Sequence, residues 1–324
     1  MKTRCSSAVV LCTALAALPC AALAQSYPTK PIRLIVPFAP GGVADVVGRT
    51  ITPRLSEALG QPILVDNRGG AGGTLGTAIG AKSPPDGYTL ILPAASHATT
   101  PGLYRKLPFD PVKDFAGVAQ LVTVPYLLVI HPSLPAKTVK EFIALAKSKP
   151  GELTYGSAGN GSSNHLAGEL FKSMSGANIV HIPYKGSAPA MVDLLGGHIP
   201  FMFDAINTSL PHMKTGRIRA IGIGTLKPSR VAPELPTIAS QGLPGYEANT
   251  WIGVLAPAGT PRDVINLLNG HIVKILRVPE IQERLSNQGA EPVGSSPEQF
   301  DAFLASEVRK WGKVITNAKV PLAD

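Results

Sequence analysis

Short apolar runs alternate with helical patterns along most of this chain, and no other feature of the sequence restricts the fold as much. The runs fall at 32–36, 63–65, 89–92, 126–130, 179–182, 201–203, 219–223 and 253–255. Stretches with a helical period lie between and after them, at 46–58, 73–81, 139–148, 165–174, 188–195, 262–276 and 298–315. Strand, helix, strand in regular succession is the pattern of parallel βα units. Thr138, Pro261 and Pro297 stand where N-cap or first-turn residues belong. The pattern predicts an α/β protein built as two doubly wound, mostly parallel sheets.

The first 24 residues stand apart from this alternation. Lys2 and Arg4 precede an apolar run from Ala8 to Leu18, and Ala22-Leu23-Ala24 precedes Gln25. This is the layout of a secretory signal peptide cleaved after Ala24, so the mature chain is expected to be exported. The apolar run is too short to span a bilayer, and no later stretch offers about 18 uninterrupted apolar residues. Cys5, Cys12 and Cys20 all lie in the removed segment, which leaves the mature chain without a disulfide. Pro19 directly before Cys20 is a poor fit to lipoprotein processing. Loss of Lys2 and Arg4 takes the formal net charge from +9 to +7. That balance suits either an anionic ligand or a generally basic surface.

A mature chain of about 300 residues exceeds what one core usually supports, so two domains are expected. The segments 107–128 and 233–251 both combine proline-rich loops with extended stretches, which makes them the natural crossings between lobes. A chain that crosses twice has both ends in one lobe. The expected division is residues 25–125 with 249–324 in lobe one and 126–248 in lobe two. Ligands of such folds sit in the cleft between the lobes.

Two Gly-rich turns look suited to that cleft. In Pro37-Phe38-Ala39-Pro40-Gly41-Gly42-Val43-Ala44-Asp45 an apolar run passes through a turn into a helix. Backbone N–H groups and the positive end of a helix dipole there favour a carboxylate or phosphate. Asp45 either caps the helix or touches the ligand. The second stretch, from Thr154 to His165, repeats the arrangement, with Ser157, Ser162, Ser163 and Asn164 adding side-chain donors. Two such loops facing each other would clamp a small carboxylate, and three or four charge-assisted hydrogen bonds suffice for roughly micromolar affinity.

Other functions lack support. The basic clusters, Lys147 with Lys149 and Arg309 with Lys310, are too sparse for nucleic acid. The glycine-dense stretch 67–76 departs from the dinucleotide fingerprint at Leu75, no acidic residue is placed for a ribose, and no cofactor is expected. Ser162, Ser163 and His165 lie close together, which raises an exported hydrolase as a rival. Yet the chain has no G-x-S-x-G elbow and no H-E-x-x-H, and its seven histidines lack metal-ligand spacing. With 44% hydrophobic residues, its 31 prolines and 33 glycines fit a loop-rich globular chain rather than a disordered one. An envelope interaction or sensing protein using the same cleft remains an alternative.

Several motifs in order resemble the Bug-type substrate-binding proteins of tripartite tricarboxylate transporters. They are Pro37 to Asp45, Val65-Asp66-Asn67-Arg68 with Gly70 to Gly73, Pro85 to Leu90, Tyr155-Gly156-Ser157 with Gly159 and Gly161, His181 to Gly186, Met202-Phe203-Asp204 and Gly216 to Ala220. The resemblance spans nearly the whole mature chain. It implies a type II periplasmic binding protein, a monomeric two-lobed clamshell with a hinge, closing on a small organic anion and delivering it to a membrane permease. Gly69 and Thr74 depart from the residues common at their positions.

The resemblance also implies a site. Phe38, Pro40, Gly41, Gly42 and Asp45 match the first loop, associated with ligand carboxylate binding partly through ordered water. Ser157, Gly161, Ser162 and His165 match the opposing loop. Ser96 and His97 fall where a third βα loop reaches the cleft, and Asp204 holds the equivalent place in lobe two. Lys185 is the best-placed cation near the second loop, although it and Tyr184 also suit a plain turn before Gly186. His165 suits a capping role as well as a contact, and Trp251 suits hinge or core packing. The ligand stays open among dicarboxylates, tricarboxylates, aromatic acids, amino acids and neutral heterocycles.

Overall fold

Ile32–Val36 is buried at every position except Arg33, as expected of a strand covered on both faces. In the computed structural model, which describes residues 27–184 and 186–322, it is β1 of ten strands. The others are β2 (Ile63–Asn67), β3 (Thr89–Ile91), β4 (Phe115–Ile130), β5 (Thr154–Ser157), β6 (Val180–Pro183), β7 (Phe201–Ala205), β8 (Arg219–Ile223), β9 (Asn249–Pro257) and β10 (Glu291–Pro292). The helices are α1 (Val43–Leu59), α2 (Thr74–Ala81), α3 (Ser96–Thr99), α4 (Val139–Ser148), α5 (Ser163–Ser175), α6 (Ser187–Leu195), α7 (Ile206–Lys214), α8 (Arg262–Leu276), α9 (Pro279–Ser286) and α10 (Pro297–Ala318). The signal-peptide reading of residues 1–24 and the reading of Lys185 lie outside the described residues. None of the described helices is long and apolar enough to cross a membrane.

The strands run β2-β1-β3-β9-β4-β7-β5-β6, with β10 and β8 also paired to β4. Parallel pairing is confined to the outer βα units, β1 with β2 and β3, and β5 with β6 and β7. The central strands β9 and β4 run antiparallel to their neighbours. β4 is the spine of the molecule. It pairs with β9 from Phe115 to Pro125, then with β7 and β8 from Tyr126 onward, so one strand serves both lobes. The apolar pattern marks only its second half, because Gly117 and Pro125 interrupt the run. Pro125 sits at the end of the β9 ladder, where the loss of one donor is tolerated.

The second crossing lies beside the first. Gly224 N–H donates to Tyr126 O at 2.7 Å, and Ala248 N–H donates to Gly224 O at 2.9 Å. A Cβ on Gly224 would lie 2.2 Å from Ala248 O, so only glycine fits between the two crossing segments here. Short helices escape the sequence pattern for similar local reasons. α7 contains Pro211, which normally argues against a helix interior.

Lobe two has an aromatic core of Phe142, Phe171, Phe201, Phe203 and Tyr246. A separate cluster joins Trp251, Phe300 and Trp311 with Leu166 of α5, so α10 packs across the lobes. Trp251 is fully buried with its ring edge-on to Phe300 at 5.6 Å, which settles its role as core.

Candidate functional site

A cleft of about 620 Å³ lies between the lobes, within the usual size range for small-molecule sites. Lobe one lines it with Phe38, Ser96, Thr100, Leu103 and Tyr104, joined by Pro321 and Leu322 from the segment after α10. Lobe two lines it with Asn160, Gly161, Ser162, Ser163, Asn164 and Ser187. Tyr126, the first residue of β4 paired to β7, also faces it, near the side chains of Ser163 and Thr250. Burial pushes that phenol well above its ordinary pKa, so it stays neutral. No charged side chain lines the cleft among the described residues.

The polar wall is the turn from β5 into α5. Ser162 is the N-cap, its side chain accepting from His165 N–H. The amides of Ser163 and Asn164, in the first turn, have no intrahelical acceptor. Both residues face the cleft, where the helix dipole also favours an anion. Gly161 holds φ +74°, a left-handed conformation that suits glycine, and its N–H donates to His165 Nδ1 at 2.9 Å.

Beneath this turn lies a buried polar stack. His181 Nε2 is 2.5 Å from Ser157 Oγ, and the His165 and His181 rings stack at 3.8 Å. Tyr155 hydroxyl donates to Glu169 Oε1 at 2.9 Å. Burial pulls His165 down to about 3 and His181 down to about 4, with Lys172 adding to both and His181 to the former. Both imidazoles are neutral at pH 7. Ser157 is fully buried and His165 nearly so, and neither lines the cleft; they brace the turn that does.

The first Gly-rich turn is organised differently from the sequence expectation. α1 starts at Val43 with Gly42 as N-cap, which puts Asp45 in the first turn instead of at the cap. Asp45 folds back to accept Gly41 N–H at 2.9 Å, and also binds Arg49 and Asn67 at 3.0 Å. Asn67 Nδ2 donates further to Phe38 O at 3.1 Å. Burial raises the Asp45 carboxyl, but the Arg49 side chain, the Gly41 amide and Asn67 outweigh it and hold it below the usual range. Pro40, Gly41 and Gly42 do not line the cleft; Gly41 borders a separate recess of about 290 Å³ with Asn207 and Gln288. Phe38 is the member of this turn that reaches the cleft.

Replacing Asp45 with Ala leaves the Gly41 and Asn67 donors without their acceptor, and should cost about 2 to 4 kcal/mol of stability. A lower urea midpoint at unchanged slope checks this. Asp45→Asn, which keeps one oxygen, should cost less.

His97 and Asp204 are also placed away from the cleft. His97 Nε2 meets Pro111 O at 2.8 Å, with the ring stacked on Phe109 and edge-on to Phe115. Burial holds it down to about 4 despite that carbonyl. Asp204 accepts from Thr208 at 2.5 Å and Ser209 at 2.8 Å, anchoring the start of α7, and burial raises its carboxyl despite these donors. Of the residues expected from sequence, Phe38, Ser96, Gly161 and Ser162 line the cleft together. Thr100, Leu103, Tyr104, Tyr126, Ser187 and Leu322 line it without having been expected, since they lie outside both Gly-rich turns and carry no local motif.

Comparison with known proteins gives one consistent result. Residues 47–320 match the model of a family described as "Tripartite tricarboxylate transporter family receptor". The chain is 39% identical over 322 residues to Protein BugT of Bordetella pertussis, covering 98% of this chain and 99% of that one. Among solved structures it is similar to R. palustris Rpa4515 with adipate, at 39% identity and TM-score 0.78, over 92% of this chain and all of that one. It is also similar to MatC from Rhodopseudomonas palustris with bound malate, at 33% identity and TM-score 0.74, over 89% of this chain and all of that one.

Proposed function

The chain belongs to the tripartite tricarboxylate transporter receptor family, whose members are substrate-binding proteins and not enzymes, and from that membership we propose that it captures a small carboxylate in the interlobe cleft and delivers it to a membrane permease. The observation that carries this reading is the first turn of α5, whose Ser163 and Asn164 line a cleft with no charged side chain among the described residues. A carboxylate there accepts from Ser163 and Asn164 N–H and from the neighbouring hydroxyls, and needs no cationic side chain. The adipate and malate held by two relatives are of this ligand class.

The working division is residues 25–125 with 249–324 as lobe one and 126–248 as lobe two, hinged where β4 changes partners at Pro125 and Tyr126. The change of pairing partner and the Gly224 contact support that hinge. Ligand bound by one lobe favours the closed arrangement, because donors and apolar walls from the other complete its surroundings. Family membership supports delivery to a permease and export to the periplasm, and the pattern of the first 24 residues supports cleavage after Ala24.

A thermal-shift screen of the chain from Gln25 onward against carboxylates, amino acids and neutral heterocycles tests the reading. A carboxylate at a hundred times its Kd should stabilise the fold by about 2.7 kcal/mol, a rise of a few degrees. A rise with amino acids or heterocycles alone, or none at all, overturns the carboxylate assignment.

A further inference from the structure

We infer that Leu322 is a specificity-determining residue of this site, closing its lobe-one side with an apolar surface that selects carboxylates bearing a hydrocarbon body over short ones. The inference rests on the reading of the cleft as a carboxylate site. The lining divides by chemistry as well as by lobe. Lobe two brings the α5 dipole with the hydroxyls and amides of its first turn, and the Tyr126 ring; the other large apolar surfaces, Phe38, Leu103, Tyr104 and Leu322, come from lobe one and the segment after α10, beside the hydroxyls of Ser96, Thr99 and Thr100. A ligand anchored by its carboxylate on α5 therefore turns the rest of its body toward these side chains. With no charged group lining the cleft among the described residues, that body gains most by being apolar.

The placement of Leu322 is built into the end of α10. Lys319 takes a left-handed conformation at φ 52° and ends the helix, its N–H donating to Ile315 and Thr316 carbonyls. Val320 N–H then donates to Ile315 O at 3.2 Å, and its side chain is buried in the cluster with Trp311, Val314 and Ile315. Val320 is thus an anchor, and Pro321 stiffens the link to the next residue. Leu322 lines the cleft while 48% exposed, so it has apolar surface left for a ligand to cover.

Calorimetric titration with straight-chain monocarboxylates from acetate to octanoate tests this. Each methylene that reaches the apolar wall should tighten binding by up to about fourfold, from roughly 0.8 kcal/mol per buried CH₂. Leu322→Ala should weaken octanoate about three- to tenfold, leave acetate within twofold, and leave the melting temperature of the ligand-free protein unchanged. Leu322→Met, which keeps an apolar chain, should restore octanoate binding. Equal losses for acetate and octanoate, or none for either, overturn the role of Leu322 while the carboxylate site stands. Absence of binding by every acid in the series, together with a flat thermal-shift screen, overturns the carboxylate reading and this inference with it.

Discussion

Between pH 6.5 and pH 4.5 the ligand-free protein should lose several kcal/mol of stability, through three histidines and not through its carboxylates. His97, His165 and His181 are held at about 4, about 3 and about 4, in each case chiefly by burial. Unfolding releases each to an ordinary imidazole near 6.5. Below that value the unfolded chain therefore binds protons that the folded chain refuses, and stability falls as pH falls. The contribution is complete above pH 6.5 and is lost progressively toward pH 4. Three groups at about 1.4 kcal/mol per pH unit each give a limiting slope near 4 kcal/mol per unit. Even half that slope over two units removes about 4 kcal/mol, a large share of a typical domain's total.

Asp204 works against this trend, because its raised carboxyl favours the folded state as pH falls. Asp45, Asp66 and Asp110, all held below the usual range, reinforce the loss only at lower pH, near and below 3.8. Urea melts at half-unit intervals read the slope directly. His97→Gln should remove about one proton's worth of it, since that ring sits apart from the stacked pair. A slope of one proton or less from pH 6.5 to 4.5 would show that the imidazoles protonate in place.

The two lobes are legible in the sequence because burial on both faces of a parallel strand leaves a continuous apolar run, as in β1 and β7. The spine is half hidden: only residues 126–130 of β4 read as a strand, because Gly117 and Pro125 interrupt its first half. The second Gly-rich turn is readable as a turn into a capped helix, since capping by Ser162 and the left-handed Gly161 are local properties. The first shows a tertiary role that its local sequence does not carry. An acid after Gly-Gly looks like a cap or a ligand contact, whereas its burial beside Arg49 and Asn67, 4 and 22 residues away, makes it a clamp on the turn. His97, Ser157, His165 and Asp204 likewise have buried tertiary partners that the sequence does not show. Polar residues near strand ends and helix starts read alike in sequence, and the tertiary partner each one finds is set by the fold. The apolar wall is invisible in the sequence because Leu103, Tyr104 and Leu322 meet only through the fold.

Substituting Gly161 should damage ligand binding more than any other single change in the cleft. A Cβ at this position would lie 2.6 Å and 2.8 Å from the two methyls of Leu103 and 3.2 Å from its Cγ, a clash between a lobe-two turn and a lobe-one side chain. The residue also holds φ +74°, which costs a non-glycine residue about 1 to 2 kcal/mol. Its N–H to His165 Nδ1 fixes the turn from below, so the strain passes to the adjacent first turn of α5. Gly161→Ala should therefore lower carboxylate affinity at least tenfold, about 1.4 kcal/mol or more, with a stability loss of about 1 to 2 kcal/mol. Leu103 is the flexible partner, and its truncation separates the two causes. If the clash matters, Leu103→Ala in the Gly161→Ala background should recover part of the affinity, although alone it removes apolar wall and weakens binding. That sign reversal is a coupling a double-mutant cycle measures. Losses that simply add would assign the whole effect to backbone strain, and unchanged affinity in Gly161→Ala would remove this turn from the binding surface.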